Sequence, residues 1–207
     1  MKLLILTQKV DKNDDILGFF HEWLREFSIK TEKLTVICLQ KGEWDLPDNT
    51  AVLSLGKESG VSHLKYIFNF YKYIWRERNS YDAVFVHMNP VYVVLGVFVW
   101  KVLGKKTALW YTHRNVDWKL KIAEKLADVI FTASKESFRV QSDKVKILGH
   151  GINVERFQAS NMPKDSNGIL SVGMIAPIKN YEFLIDAAKI LDDRGIEFNI
   201  KIIGAPI

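Results

Sequence analysis

Three groups of polar residues in this chain have types and spacing suited to chemistry on hydroxyls or phosphates. Thr112-His113-Arg114-Asn115 is the first. A neutral imidazole at His113 can donate to a hydroxyl or handle a proton during a transfer. A loop histidine that merely bonds backbone accounts for the residue equally well. Gly173 to Asn180 is the second. There Gly173 lets backbone approach a ligand, Lys179 adds a point charge, and Asn180 stands where it would cap a helix whose free N–H groups favour an anion. A surface lysine in an ordinary strand-to-helix loop is the competing reading. The third comprises Gln8, Lys9, His87 and the Gly149-His150-Gly151 turn. The five histidines include no i, i+4 pair and no acidic or cysteine partner at ligand spacing, so no metal site is expected.

These groups share a place in the element pattern. Apolar runs predict strands at 2–7, 34–39, 51–55, 83–86, 107–111, 128–131 and 145–148. Asp14 and Asp15 read as N-caps of a first helix whose apolar side holds Ile16, Phe19, Phe20, Trp23, Leu24 and Phe27. Helix 63–78 offers Leu64, Ile67, Phe68, Tyr71, Ile74 and Trp75 as its core side. Asn89-Pro90 opens a helix that ends at Gly104, another covers 116–126, and Ser134 caps a short one. Strand and helix alternate, which implies a parallel sheet covered on both faces. Ligands then sit beyond the carboxyl ends of the strands, where all three groups fall. After Gly168 one further unit follows: strand 169–172, helix 181–193 with Leu184, Ile185, Ala188 and Leu191 as its apolar face, and strand 198–203. About forty residues of this kind cannot bury a core of their own, so the chain reads as part of a longer protein.

Composition narrows the class. Of 207 residues, 48% are hydrophobic and 26% charged, as in ordinary globular proteins. A net charge of +5 favours an anionic partner. Cys38 is the single cysteine, so no intramolecular disulfide forms, which suits a cytoplasmic setting. The N-terminus lacks a signal-peptide pattern, and the longest apolar run, 91–103, has the length of a core helix. No nucleic-acid recognition module is visible. Helix 63–78 also bears a second aromatic row, Tyr66, Phe70 and Tyr73, among Lys65, Lys72, Arg76 and Arg78. Such a helix suits a peripheral membrane contact or a lipid-bearing acceptor, or packs under a neighbour.

I-L-G-H-G-I-N-V-E-R-F (147–157) and S-V-G-M-I-A-P-I-K-N-Y-E-F-L-I-D-A-A (171–188) resemble two segments of glycosyltransferase family 4, enzymes of the GT-B fold. The first resembles the family's N-G-V-D-x-x-x-F segment and the second its G-R-(x)4-K-G phosphate motif. The resemblance implies a Rossmann-like acceptor domain over 1–164 and the truncated first β-α-β of a second such domain, the donor domain, over 165–207. It implies retaining transfer of a sugar from a nucleotide-diphosphate sugar to a glycan or lipid-linked acceptor, with no cofactor and no metal. His113 takes the place of the family's catalytic histidine facing the donor sugar, and Lys179, with Gly173 and Asn180, that of the diphosphate site. Gln8, Lys9, Gly18, His87, Arg114 and Asn115 fall at the acceptor and sugar side. Met174 replaces the family's usual arginine, Asn153 its aspartate, and the lone Gly18 a glycine pair. The family's paired glutamates would lie beyond Ile207. A non-catalytic acceptor-binding lobe and a sugar-nucleotide epimerase are the alternatives.

Overall fold

The computed structural model describes residues 1–156 and 167–205; Phe157 and the expected boundary between 164 and 165 lie outside them. The chain divides into two compact units, Met1–Ile152 and Asn153–Ile207.

The first unit is built on seven strands, β1 (Lys2–Val10), β2 (Lys33–Lys41), β3 (Thr50–Ser54), β4 (Ala83–His87), β5 (Lys106–Trp110), β6 (Val129–Thr132) and β7 (Val145–Ile147). Their order is β3-β2-β1-β4-β5-β6-β7, and every pairing is parallel. The α/β class and the parallel sheet expected from the alternating pattern are observed. Leu3, Leu4, Ile5 and Leu6 form an unbroken apolar run because β1 is covered on both faces. Helices α2 (His63–Arg76), α3 (Val91–Val102) and α4 (Trp118–Leu126) cover one face, over Leu4, Leu6, Val84 and Val86. Helix α1 (Gly18–Lys30) covers the other, over Leu3, Ile5, Val36 and Phe85. This division follows from right-handed crossovers: the chain moves one way from β1 to β3 and the other way from β4 onward. Cys38 lies sealed in β2, and burial pushes its thiol up to about 12.

Several local expectations are corrected. β1 runs on to Val10, so Gln8 and Lys9 belong to the strand. Asp14 does not cap α1; its carboxylate accepts from the amides of Ile16 (3.0 Å) and Leu17 (2.6 Å) and shapes the turn before the helix. Ile16 and Phe19 are exposed. In α2 the two apolar rows exchange roles. Phe70 and Ile74 are buried, with Tyr66 and Tyr73 packed beside them, while Leu64, Ile67, Phe68, Tyr71 and Trp75 face outward. The reason lies on α3, where Phe70 stacks on Tyr92 (5.8 Å) and meets Trp100 edge-on (6.2 Å). Phe98 and Val102 turn outward, so α3 is only partly a core helix. Asn89 leaves the capping position unused, Ser134 makes no side-chain cap, and Asp117 caps α4 through the Leu120 amide (2.8 Å).

In the second unit β8 (Gly168–Val172) pairs in parallel with β9 (Asn199–Ile203), joined by α5 (Tyr181–Asp193). Leu184, Ala188 and Leu191 are half-buried there, whereas Ile185 is exposed. Among the described residues, no helix is long and apolar enough to cross a membrane.

Gly96 gives a stability test. A Cβ added there would overlap the ring of Trp100, one turn along α3 and fully buried. Gly96→Ala should therefore destabilise the protein by about 1–3 kcal/mol, although alanine is the better helix former by about 1 kcal/mol. A thermal melt checks the sign: a raised Tm would show that the ring yields freely.

Candidate functional site

The strand order reverses between β1 and β4, and in sheets of this kind the crevice outside that point receives ligands. Among the described residues, two side-chain hydrogen bonds span it. Thr7 Oγ1 lies 3.1 Å from His87 Nδ1, and Asn89 Nδ2 donates to Gln8 Oε1 at 2.9 Å. His87 is buried, stacked on Phe20 at 3.7 Å and ringed by Phe19 and Trp23. Burial holds its imidazole down at about 3, so the ring is neutral at physiological pH. Trp23 Nε1 donates to the Gly151 carbonyl (2.9 Å), which ties α1 to the turn after β7.

Lys9 reaches two carboxylates, Asp14 at 2.6 Å and Asp11 at 3.2 Å. The Lys9 ammonium and the Leu17 amide hold the Asp14 carboxyl down at about 2. Lys9 thus clamps the loop before α1. Gly18 fits against that loop, where a Cβ would approach the Lys12 carbonyl to 3.2 Å.

Next along the edge, His113, Arg114 and Asn115 are all exposed. His113 Nδ1 accepts from the Asn115 amide (3.1 Å), and the Asn115 carbonyl accepts from Tyr111 Oη (2.8 Å). The neutral ring therefore carries its proton on Nε2, leaving that N–H as a donor toward a ligand. Backbone bonding and, among the described residues, a free donor coexist in one residue. Sequence reasoning missed Met88, whose φ of 59° is unusual for a residue with a side chain. Its sulfur accepts from Thr112 N (3.4 Å) and Thr112 Oγ1 (3.2 Å), which fixes the loop bearing His113. Nothing in the residue type announced this.

In the second unit Lys179 closes a short turn, Pro177–Lys179, directly before α5. The Gly173 amide donates to the Ile203 carbonyl and the Ile175 amide to the Ala205 carbonyl, each at 2.9 Å, so the loop after β8 runs along the end of β9. Tyr181 Oη donates to the Gly173 carbonyl (3.2 Å), and a Cβ on Gly173 would lie 3.7 Å from Lys179 Nζ. Asn180 occupies the N-cap position in a left-handed conformation (φ 49°) and makes no side-chain cap, contrary to the expected role. The first turn of α5 is thus left without a side-chain cap beside a lysine, an arrangement that can hold an anion. Gly204 permits the close approach: a Cβ there would overlap the Gly173 carbonyl. Among the described residues no three or more metal-ligating side chains cluster.

No protein-family model and no curated protein matches the sequence. Solved structures do. HepE of Anabaena in complex with UDP aligns over 99% of this chain and 69% of its own, at 13% identity and a TM-score of 0.66. The lipopolysaccharide outer core galactosyltransferase WaaB aligns over 99% and 68%, at 13% identity and 0.58. The UDP-GlcNAc 2-epimerase of Methanocaldococcus jannaschii aligns over 98% and 66%, at 15% identity and 0.52. The likeness is one of fold: the chain resembles enzymes of the GT-B fold that act on nucleotide sugars.

His87 yields a pH test. Its folded value, about 3, lies below the ordinary 6.5, so the unfolded chain binds a proton that the folded chain refuses. Its contribution to stability is full above about pH 6.5 and declines as pH falls toward 3, by up to about 1.4 kcal/mol per pH unit. Urea unfolding at pH 7 and pH 5 should show a loss from this source of about 2 kcal/mol. In His87→Asn that loss should vanish, leaving only the pH dependence of other groups, among them His21, which burial also depresses. An unchanged pH slope would refute the buried-neutral assignment.

Proposed function

We propose that these residues form the acceptor domain (1–164) and the opening of the donor domain (from 165) of a GT-B glycosyltransferase. It moves a sugar from a nucleotide-diphosphate sugar to a glycan or lipid-linked acceptor with retention. The observation that supports this most is the loop from Gly173 to the start of α5, with Lys179 beside an N-terminus lacking a side-chain cap. Two phosphates with their negative charges suit that arrangement. Complexes of HepE with UDP and with UDP-glucose make UDP-glucose the first donor to test.

In this reading the bond from the anomeric carbon to the diphosphate breaks and the acceptor oxygen bonds that carbon on the same face. The acceptor's proton leaves on the released diphosphate. Lys179 and the α5 N-terminus stabilise the charge that develops on the leaving group. His113, through Nε2–H, holds a hydroxyl of the donor sugar, while Arg114 and Asn115 border it. Gln8 and Asn89 present polar groups to the acceptor at the β1 and β4 exits. His87, buried and neutral, acts by positioning Thr7 and the β1 end. Met174, where related motifs carry arginine, leaves Lys179 as the loop's own cation. The fold likeness to epimerases supports a second reading, in which the same diphosphate site serves epimerisation of the nucleotide sugar.

Lys179→Ala should weaken UDP binding by about tenfold or more, since a charge-assisted bond to phosphate is worth about 1.5–3 kcal/mol. Calorimetry on the full-length protein reads this directly. His113→Ala should keep UDP affinity and lose transfer by roughly 100-fold or more. Wild-type turnover in both variants would sink these roles. Product analysis with labelled UDP-glucose separates transfer from epimerisation.

A further inference from the structure

The outward face of α2 and α3 is apolar, aromatic and basic, and its composition points to a membrane. Leu64 (79% exposed), Phe68 (59%) and Trp75 (56%) line one stripe of α2, with Ile67 and Tyr71 between them. Phe98 (72%) and Val102 (85%) continue it on α3. The helices are joined along this face, where Tyr71 Oη donates to the Leu95 carbonyl at 2.9 Å. A shallow groove of about 750 Å³ runs between them, floored by Phe68, Tyr71, Trp75 and Val99. Apolar surface of this extent, left in water, marks an interaction site.

Charge identifies the occupant. Residues 63–103 hold Lys65, Lys72, Arg76, Arg78 and Lys101 against two acids, Glu77 and Asp82. Arg76 is paired with Glu77 (2.8 Å), and Asp82 accepts from the Lys2 amide (2.7 Å). Among the described residues, Lys65, Lys72, Arg78 and Lys101 form no ion pair. Lys65 lies 5.1 Å over the Phe68 ring and Arg78 4.9 Å over the Trp75 ring, so cationic heads flank the very rings that stand out. On the other face of the sheet, α1 mixes Glu22 and Glu26 with Arg25 and Lys30 and shows no such bias.

We propose that this face docks on an anionic lipid bilayer, with α2 and α3 lying in the interface plane. Leu64, Phe68, Trp75, Phe98 and Val102 enter the headgroup–acyl boundary, while the unpaired lysines and Arg78 meet lipid phosphates. The aromatic side chains suit that boundary because each has an apolar body, and Tyr71 and Trp75 also a polar edge. Because these residues belong to neither the diphosphate loop nor the strand exits, the proposal stands apart from the catalytic reading.

The test is sedimentation of the full-length protein with vesicles of pure phosphatidylcholine and of phosphatidylcholine with about one-third phosphatidylglycerol. The wild type should bind the anionic vesicles about tenfold or more tightly, with affinity falling as salt rises. Phe68→Ser with Trp75→Ser, two exposed positions, should lose about tenfold or more in affinity for the anionic vesicles while keeping the circular dichroism spectrum. Lys65→Glu with Lys72→Glu should erase most of the preference for anionic over neutral vesicles. Equal binding to both vesicle types, or wild-type affinity in the Phe68/Trp75 variant, would overturn the proposal. So would a dimer, seen by analytical ultracentrifugation, that this variant dissolves while vesicles remain unbound. UDP affinity, measured alongside, reports on the catalytic reading separately.

Discussion

The pairing of β1 with β4 is the constraint on which the first unit depends. Leu3 to Leu6 register against Ala83 to Val86 in parallel, while β1's other edge takes β2. A strand buried on both faces and paired on both edges has no freedom to slip. The reversal of strand order at this pair sends α1 to one face and α2–α4 to the other. Thr7, Gln8, His87 and Asn89 are brought together there from positions some eighty apart in the chain. Both bonds that span the gap follow from that register.

The layout of strands and helices was legible because buried parallel strands leave continuous apolar runs and helices leave a 3.6-residue period. Facing was harder. Helix α2 has apolar or aromatic residues at 64, 66, 67, 68, 70, 71, 73, 74 and 75, so two stripes compete and periodicity does not choose. The choice belongs to Tyr92 and Trp100 on α3, which receive Phe70. Such tertiary partners are invisible within the helix itself. Asn89 shows the same limit: a capping residue by type, it is claimed by Gln8 across the sheet.

The candidate site was legible in position more than in role. Strand exits could be located from the pattern, and the loop ahead of α5 from its Gly and Lys. Which exit residues stay available to a ligand depends on burial and pairing. His87 is sealed, Lys9 is neutralised by Asp11 and Asp14, and among the described residues His113 keeps one N–H free. The supporting roles of Met88 and Gly204 come from a backbone conformation and a close approach, neither of which a residue letter displays.

Cys38 sits in β2 between β1 and β3, with no exposure to solvent. A thiol held near 12 and shut off from solvent does not react with alkylating reagents while the sheet is closed. Because the chain has no other cysteine, every labelling event records one opening of the layers packed around β2. The protein thus contains its own stopwatch for the opening of the central sheet, readable by mass without an added probe.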